Sequence, residues 1–380
     1  MWLSCRDDVL ERQRHLIRSG GPELRPWRLQ VPDITRESHY VPQATLRRWS
    51  EDNVHVWAYR ILAPTESIEP WQACAIRGLT KQRDLYTTFE GDHEGDDFEK
   101  FITREIEEPG QTAIEKVISR RKMKPKDWHA VAKFVAAQQM RTPLFFVEWV
   151  RRINEEIPET LESLLHELEQ KSTVQLAADA HERGDEHNYL REKLRITIDP
   201  VPGSEGLSLV QAQVSSSRTA WLRFMRRMLT ERVSLFCQHR WRVMKLADDA
   251  EWPLTDNPVL ALNYTRPGVY DFGAGWGRHN SNFIMPISPT LAVFTQVGSK
   301  VRGPWQASPE QTLELQGFAV ERALRWIIAR KPDSRIAVMR PRIIDAAAYK
   351  TEQDAWRSWN EMHLGSEAEF NAPRTPPHTT

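Results

Sequence analysis

His39, Glu99, Glu107 and Asp256 are side chains of this 380-residue sequence whose types could make a hydrolytic centre. A histidine with two or more carboxylates can hold a divalent cation that activates water or polarises a phosphoryl oxygen. Glu99 and Glu107 stand eight residues apart. On an unbroken α-helix that is about 80° of arc, so both can face one pocket. Asp256 and Asn257 lie in "LTDNPVL" (254–260), ahead of Pro258 and an apolar run. A carboxylate at the mouth of a strand can be a ligand or a base. Gln138 and Arg141 lie in "QQMRTPL" (138–144), where a guanidinium could clamp a phosphate. His39 opens "SHYVPQATLRRW" (38–49), with Gln43 one turn further on. On this reading His39, Asp256 and Asn257 are catalytic, Gln43, Gln138 and Arg141 bind ligand, and Glu99 and Glu107 hold a divalent metal.

Each of these residues also has a purely architectural explanation. Asx residues before a proline build turns by bonding their own backbone. Polar side chains beside Pro143 can satisfy carbonyls freed where a helix breaks. Other patterns fail on spacing. The histidines of "HERGDEH" (181–187) are six apart, about 600° on a helix, so they point to different faces. "FGAGWG" (272–277) lacks dinucleotide-loop spacing and reads as a Gly-rich hairpin loop.

Charge is balanced in total, at 52 basic and 52 acidic residues, so net charge selects no partner. It is segregated along the chain. Residues 90–115 are acidic; Arg120 to Lys126 and 218–245 are basic, the latter carrying Arg218, Arg223, Arg226, Arg227, Arg232, Arg240, Arg242 and Lys245. A nucleic acid or an anionic small molecule is therefore the expected partner. Three scattered cysteines argue against a disulfide framework or a Cys-rich zinc site. The charged N-terminus lacks a signal-peptide core, and no apolar run approaches a membrane span, so a cytoplasmic, soluble protein is expected.

The elements that must position these side chains can be read from periodicity. Residues 4–19 predict a helix. "VHVWAYRIL" (54–62) alternates as a strand with one wetter face, and "QACAIRG" reads as a second strand. From about 95 to 173 the pattern is helical, interrupted at Pro109-Gly110 and broken at Pro143. Residues 198–207 read as a loop followed by a helix to about 235. "RWRVMKL", "NPVLALNY", "GVYDF", "NFIMPISP" and "TLAVFTQV" read as strands, and 308–330 as a helix. The fold class is α+β, a helix-rich middle packed on a mostly antiparallel sheet. The expected organisation is an N-terminal helical extension (1–36), a single α+β domain (37–345) and a disordered tail (364–380).

In order, His39-Tyr40-Val41-Pro42 with Leu46 and an aromatic at 49, "VHVWAYRI", "RDLYT" (83–87), Glu99, Glu107, "QQMRTP", "TDNPV" and "MPISP" (285–289) form a series. This series resembles the bacterial domain-of-unknown-function 4238 family over about residues 37–330. Trp49 stands where that family usually has Phe. The resemblance implies one intracellular α+β unit and draws attention to His39, Glu99, Glu107, Arg141, Asp256 and Asn257, without assigning them an activity. Two functional expectations stand side by side: a metal-assisted phosphodiester hydrolase, nuclease-like, from a toxin or defence setting, or a non-catalytic module that binds a ligand or a protein.

Overall fold

Alternation in "HVWAYR" builds the first long strand: Val56 and Ala58 turn inward while His55 and Trp57 stay exposed. The structure is a computed structural model and describes residues 36–90, 93–170, 194–200, 208–214, 217–300 and 303–371. The chain divides after Asp33, and everything below concerns the unit from Ile34 onward. The expected helix at 4–19 and the "HERGDEH" segment lie outside the described residues.

The strands of the two larger sheets and of the β1–β4 ribbon are β1 (Glu37–His39), β2 (His55–Arg60), β3 (Trp71–Ala75), β4 (Lys81–Arg83), β5 (Arg242–Lys245), β6 (Leu254–Thr255), β7 (Leu260–Arg266), β8 (Val269–Asp271), β9 (Ser281–Ser288), β10 (Leu291–Gln296), β11 (Trp305–Gln306) and β12 (Trp326–Ala329). The principal helices are α1 (Asp97–Ile102), α2 (Glu108–Ile118), α3 (Pro125–Met140), α4 (Pro143–Gln170), α5 (Arg218–Arg227), α6 (Val233–Cys237), α7 (Pro309–Glu321), α8 (Ala346–Arg357) and α9 (Trp359–Asn371), with short helical turns at Gln43–Leu46 and Ser334–Met339. The larger sheet has the order β8-β7-β9-β10-β5-β11 and is antiparallel except for β5 with β11. A four-stranded antiparallel sheet has the order β6-β12-β2-β3, and β1 pairs with β4 in a short ribbon. The α+β class is as expected.

Strand β9 is buried at every residue because both of its faces are covered. Phe283 meets Phe236 of α6 edge-on at 4.8 Å, whereas Ile284 faces a cavity that Leu315 and Phe318 of α7 also line. The core includes three fully buried indoles, Trp49, Trp221 and Trp252, and Trp49 donates to the Trp252 carbonyl at 2.8 Å. No described helix is long and apolar enough to cross a membrane.

Four local expectations change. Pro109-Gly110 does not interrupt the helix. A π turn (Thr103–Glu107) joins α1 to α2, Pro109 occupies the first turn of α2, and Gly110 lets Phe134 approach to where a Cβ would lie 2.6 Å away. The segment expected as a loop from 198 continues the strand Leu194–Pro200, which pairs with Ser208–Val214. The helix expected to reach 330 stops at Glu321, and Trp326–Ala329 becomes a strand against β2, because the apolar "WIIA" finds a partner ladder there. The Gly-rich loop joins β8 to β9, which are not neighbours; both pair with β7. Towards the C-terminus, residues up to Asn371 are helical, and Glu352 of α8 accepts from Arg60 and, at 2.7 Å, from Arg325.

Candidate functional site

Pro143 determines the first candidate centre. It ends α3 at Met140 and begins α4, leaving carbonyls between them without helical partners. Trp221 Nε1 donates to the Met140 carbonyl at 3.2 Å, and the Tyr86 hydroxyl donates to the Arg141 carbonyl at 3.1 Å. Thr142 Oγ1 accepts from Phe145 N at 3.3 Å and donates to Asn257 Oδ1 at 3.1 Å. The break therefore turns Arg141 inward, where it is 1% exposed.

The Arg141 guanidinium donates to the Glu107 carboxylate, to the His39 carbonyl and, through Nε, to Tyr86 Oη at 3.1 Å. Burial opposes its charge, but Tyr86, Glu107 and Glu99 outweigh that and hold it above its ordinary value. Glu99 shares the region: Ser38 bonds its side chain, Arg141 attracts it and Glu107 repels it, while burial dominates and pushes its carboxyl up. Among the described residues, its Oε2 and both amide atoms of the fully buried Gln138 have no hydrogen-bond partner. The π turn explains how two carboxylates eight residues apart reach one guanidinium. It takes up one residue more than an α turn, so the separation acts as about seven residues, roughly 20° from eclipsed rather than 80°.

His39 enters this junction through its backbone. Along β1 Ser38 is buried and His39 half-buried, and His39 is paired with Lys81. The imidazole bonds the Arg77 carbonyl, and its Nε2 lies 3.5 Å from Gln43 Nε2. Burial and the nearby Lys81 lower its pKa, which favours the neutral ring. Gln43 Oε1 accepts from Arg47 at 3.0 Å.

Asp256 closes a different contact. Its Oδ1 accepts from Leu324 N at 2.9 Å and its Oδ2 from Arg325 N at 2.7 Å, which pins the turn that leads into β12. Burial pushes its carboxyl up to about 6, against those two hydrogen bonds. Asn257 is tied to Thr142 and, through its backbone, to Thr255. The structure thus brings His39 (by its carbonyl), Glu99, Glu107 and Arg141 together and sets the carboxylate of Asp256 on the 324–325 turn. Among the described residues no three His, Cys, Asp or Glu side chains gather as a metal-holding set.

A second centre lies elsewhere and was marked in the sequence only by charge. A groove of about 710 Å³ is lined by Trp128 and His129 from α3 and by His239, Arg240, Trp241 and Arg242 from the segment entering β5. It brings the end of the Arg120–Lys126 run against the end of the 218–245 run. His239 Nε2 donates to the Trp276 carbonyl at 2.6 Å, which orients the ring. Cys237 lies in the same wall, and burial pushes its thiol up, away from reactivity. Arg240 donates to the Lys300 carbonyl at 3.2 Å, and Arg242 lies over the Phe294 ring at 4.7 Å. Among the described residues neither has a carboxylate partner, and burial pulls the Arg242 guanidinium down from its ordinary value. The aromatic lining escaped sequence reading because fifteen tryptophans are spread through the chain and periodicity assigns most of them to packing.

No curated protein and no solved structure matches the chain. The pattern of one family matches residues 38–333, which takes in β1, the Arg141 junction, the groove and both sheets through β12, and by that match the chain belongs to the family described as protein of unknown function (DUF4238).

Proposed function

We propose that this domain is a binding module for a phosphate-bearing ligand with stackable rings, a nucleotide or a single-stranded nucleic acid, held in the groove between α3 and β5. The carrying observation is Arg242, a partly buried guanidinium without a carboxylate partner among the described residues, in a wall that also presents Trp128, Trp241 and Arg240. A desolvated cation left unpaired by its own protein gains from an anion supplied from outside. Basic side chains that track phosphates beside aromatic faces that stack on bases are the combination single-stranded nucleic acids require.

The binding reading is preferred to the hydrolase reading because two of the three candidate acids are already engaged and, among the described residues, no metal-holding set forms around Glu99. Glu107 bonds Arg141, and both Asp256 oxygens accept backbone N–H groups. The test is fluorescence anisotropy of the full chain with a labelled single-stranded oligonucleotide and, as competitor, a mononucleotide. Binding is expected to weaken linearly in log–log form as salt rises. Competition by the mononucleotide at a comparable concentration identifies a nucleotide site; weak competition identifies a strand-binding groove. No binding at low salt removes the proposal. Cleavage of the oligonucleotide on adding magnesium or manganese would restore the hydrolase reading.

A further inference from the structure

The groove between α3 and β5 carries more than cations and rings. Two imidazoles line it, His129 from α3 and His239 from the segment entering β5. The segments that bear them approach each other at Cys237, whose Sγ lies 3.8 Å from the His129 carbonyl. Among the described residues lining the groove none is Asp or Glu, so it offers a divalent cation no carboxylate ligand. With the Cys237 thiol pushed up by burial, proton transfer in the groove falls to imidazole.

The two rings are held differently. A carbonyl can only accept, so the bond from His239 to Trp276 places a ring proton on Nε2. When neutral, the ring keeps its lone pair on Nδ1, which has no hydrogen-bond partner among the described residues. Trp276 is itself fixed: its Nε1 donates to Gln139 Oε1 at 2.9 Å and its ring stacks on Phe236 at 5.0 Å. Phe236 also meets the His239 ring edge-on, with centroids 6.2 Å apart. The Gly-rich loop "FGAGWG" thereby sets the tautomer of one groove histidine. His129 is exposed, and among the described residues its ring makes no hydrogen bond, so it is free to bring a proton to a ligand. A fixed lone pair, a free proton carrier and two guanidiniums are the parts that phosphoryl transfer needs when the nucleophile belongs to the substrate.

We infer that the groove cleaves single-stranded RNA by internal transfer, with His239 as general base and His129 as general acid. The 2′-hydroxyl oxygen bonds to the adjacent phosphorus as its proton passes to His239 Nδ1. The bond from phosphorus to the 5′-oxygen breaks, and that oxygen takes a proton from the His129 imidazolium. Arg240 and Arg242 stabilise the charge on the non-bridging oxygens. The products are a 2′,3′-cyclic phosphate end and a 5′-hydroxyl end, and a proton returned through solvent from His239 to His129 resets the pair. DNA lacks the 2′-hydroxyl and is not a substrate.

The inference rests on the groove binding a single strand, and the experiment separates the two. The full chain in excess EDTA is incubated with an RNA oligonucleotide or with DNA of the same sequence. Binding is read by anisotropy on the 2′-O-methyl RNA, which cannot react. RNA should be cut to fragments that end in a cyclic phosphate, identified by mass, and DNA should stay intact. His129→Ala and His239→Ala should each slow cleavage by about a hundredfold or more and leave binding of the 2′-O-methyl RNA in place. Binding without cleavage overturns the activity and leaves the groove standing. Cleavage that persists in either variant, that extends equally to DNA, or that occurs only when magnesium replaces EDTA overturns the activity as well. Failure to bind or cut any of the oligonucleotides overturns the activity and the groove together.

Discussion

Arg141 and Arg242 show what one side-chain type does in two settings. Arg141 is buried and engaged at all three nitrogens: a carboxylate, a backbone carbonyl and a tyrosine oxygen each accept from it, and Tyr86 also lies beneath it at 5.6 Å. Arg242 is only partly buried, rests on an aromatic face and has no carboxylate partner among the described residues. A buried cation so engaged fixes the positions of the elements around it, here β1, the π turn and the α3–α4 break. A cation that stays open in a groove leaves its interaction energy for something outside the fold. The comparison predicts that variants at the junction change stability and variants at the groove change affinity.

Arg141→Ala should have the largest effect. It leaves Glu107 and the desolvated Glu99 without their common counter-charge, and loss of one partner of a buried pair costs about 3–5 kcal/mol. Urea denaturation measures this, and a variant of wild-type stability would break the assignment of the junction to architecture. Asp256 gives the next effect, through pH. Its carboxyl sits near 6 in the fold, above the ordinary aspartate value, so the folded state holds the proton where the unfolded state has lost it. Its contribution is complete below about pH 4 and is lost as pH rises through about 6, a decline on the order of 2–3 kcal/mol. Comparing Asp256→Asn with wild type across that window isolates the contribution; the variant should lack the slope and be weaker by about 1–3 kcal/mol below about pH 4, because an amide cannot accept both backbone N–H groups, and that deficit should shrink or reverse as the wild type loses its contribution above about pH 6.

At the groove, the double substitution Arg240→Gln with Arg242→Gln should weaken oligonucleotide binding at least tenfold, about 1.4 kcal/mol. Its unfolding free energy should move by much less than that of Arg141→Ala. If instead the double variant unfolds and its residual affinity is unchanged, the contrast between the two arginines is wrong. The smallest effect belongs to the basic run that leads into α3, of which Pro125 lines the groove. Lys126→Gln, next to it in sequence, should lower the slope of log affinity against log salt by about 1 and leave sequence preference alone.

Particular residues show how much could be read beforehand. Pro143 announced the helix break, and that break positions Arg141. The strand runs from Arg242 to Gln296 were legible because each is short, apolar and bounded by turn residues. The C-terminal strand β12 was not, since "WIIA" continues a helical pattern and only the open edge of β2 converts it into a ladder. The Glu99–Glu107 pairing was foreseen on one helix, but the π turn that aligns the two could not be read from Pro109-Gly110. His39 stood out by type; that its carbonyl, rather than its ring, meets Arg141 depends on a β1–β4 pairing that no local pattern states.

The sequence by itself determined the α+β class, the break at Pro143, the run of strands and the segregation of charge, because each is written in neighbouring residues through periodicity, turn chemistry or composition. Only the tertiary structure decided which arginines are neutralised and which stay open. That outcome depends on distances between segments about a hundred residues apart, such as Trp128 and Arg242, and on how much water each guanidinium keeps once those segments have packed.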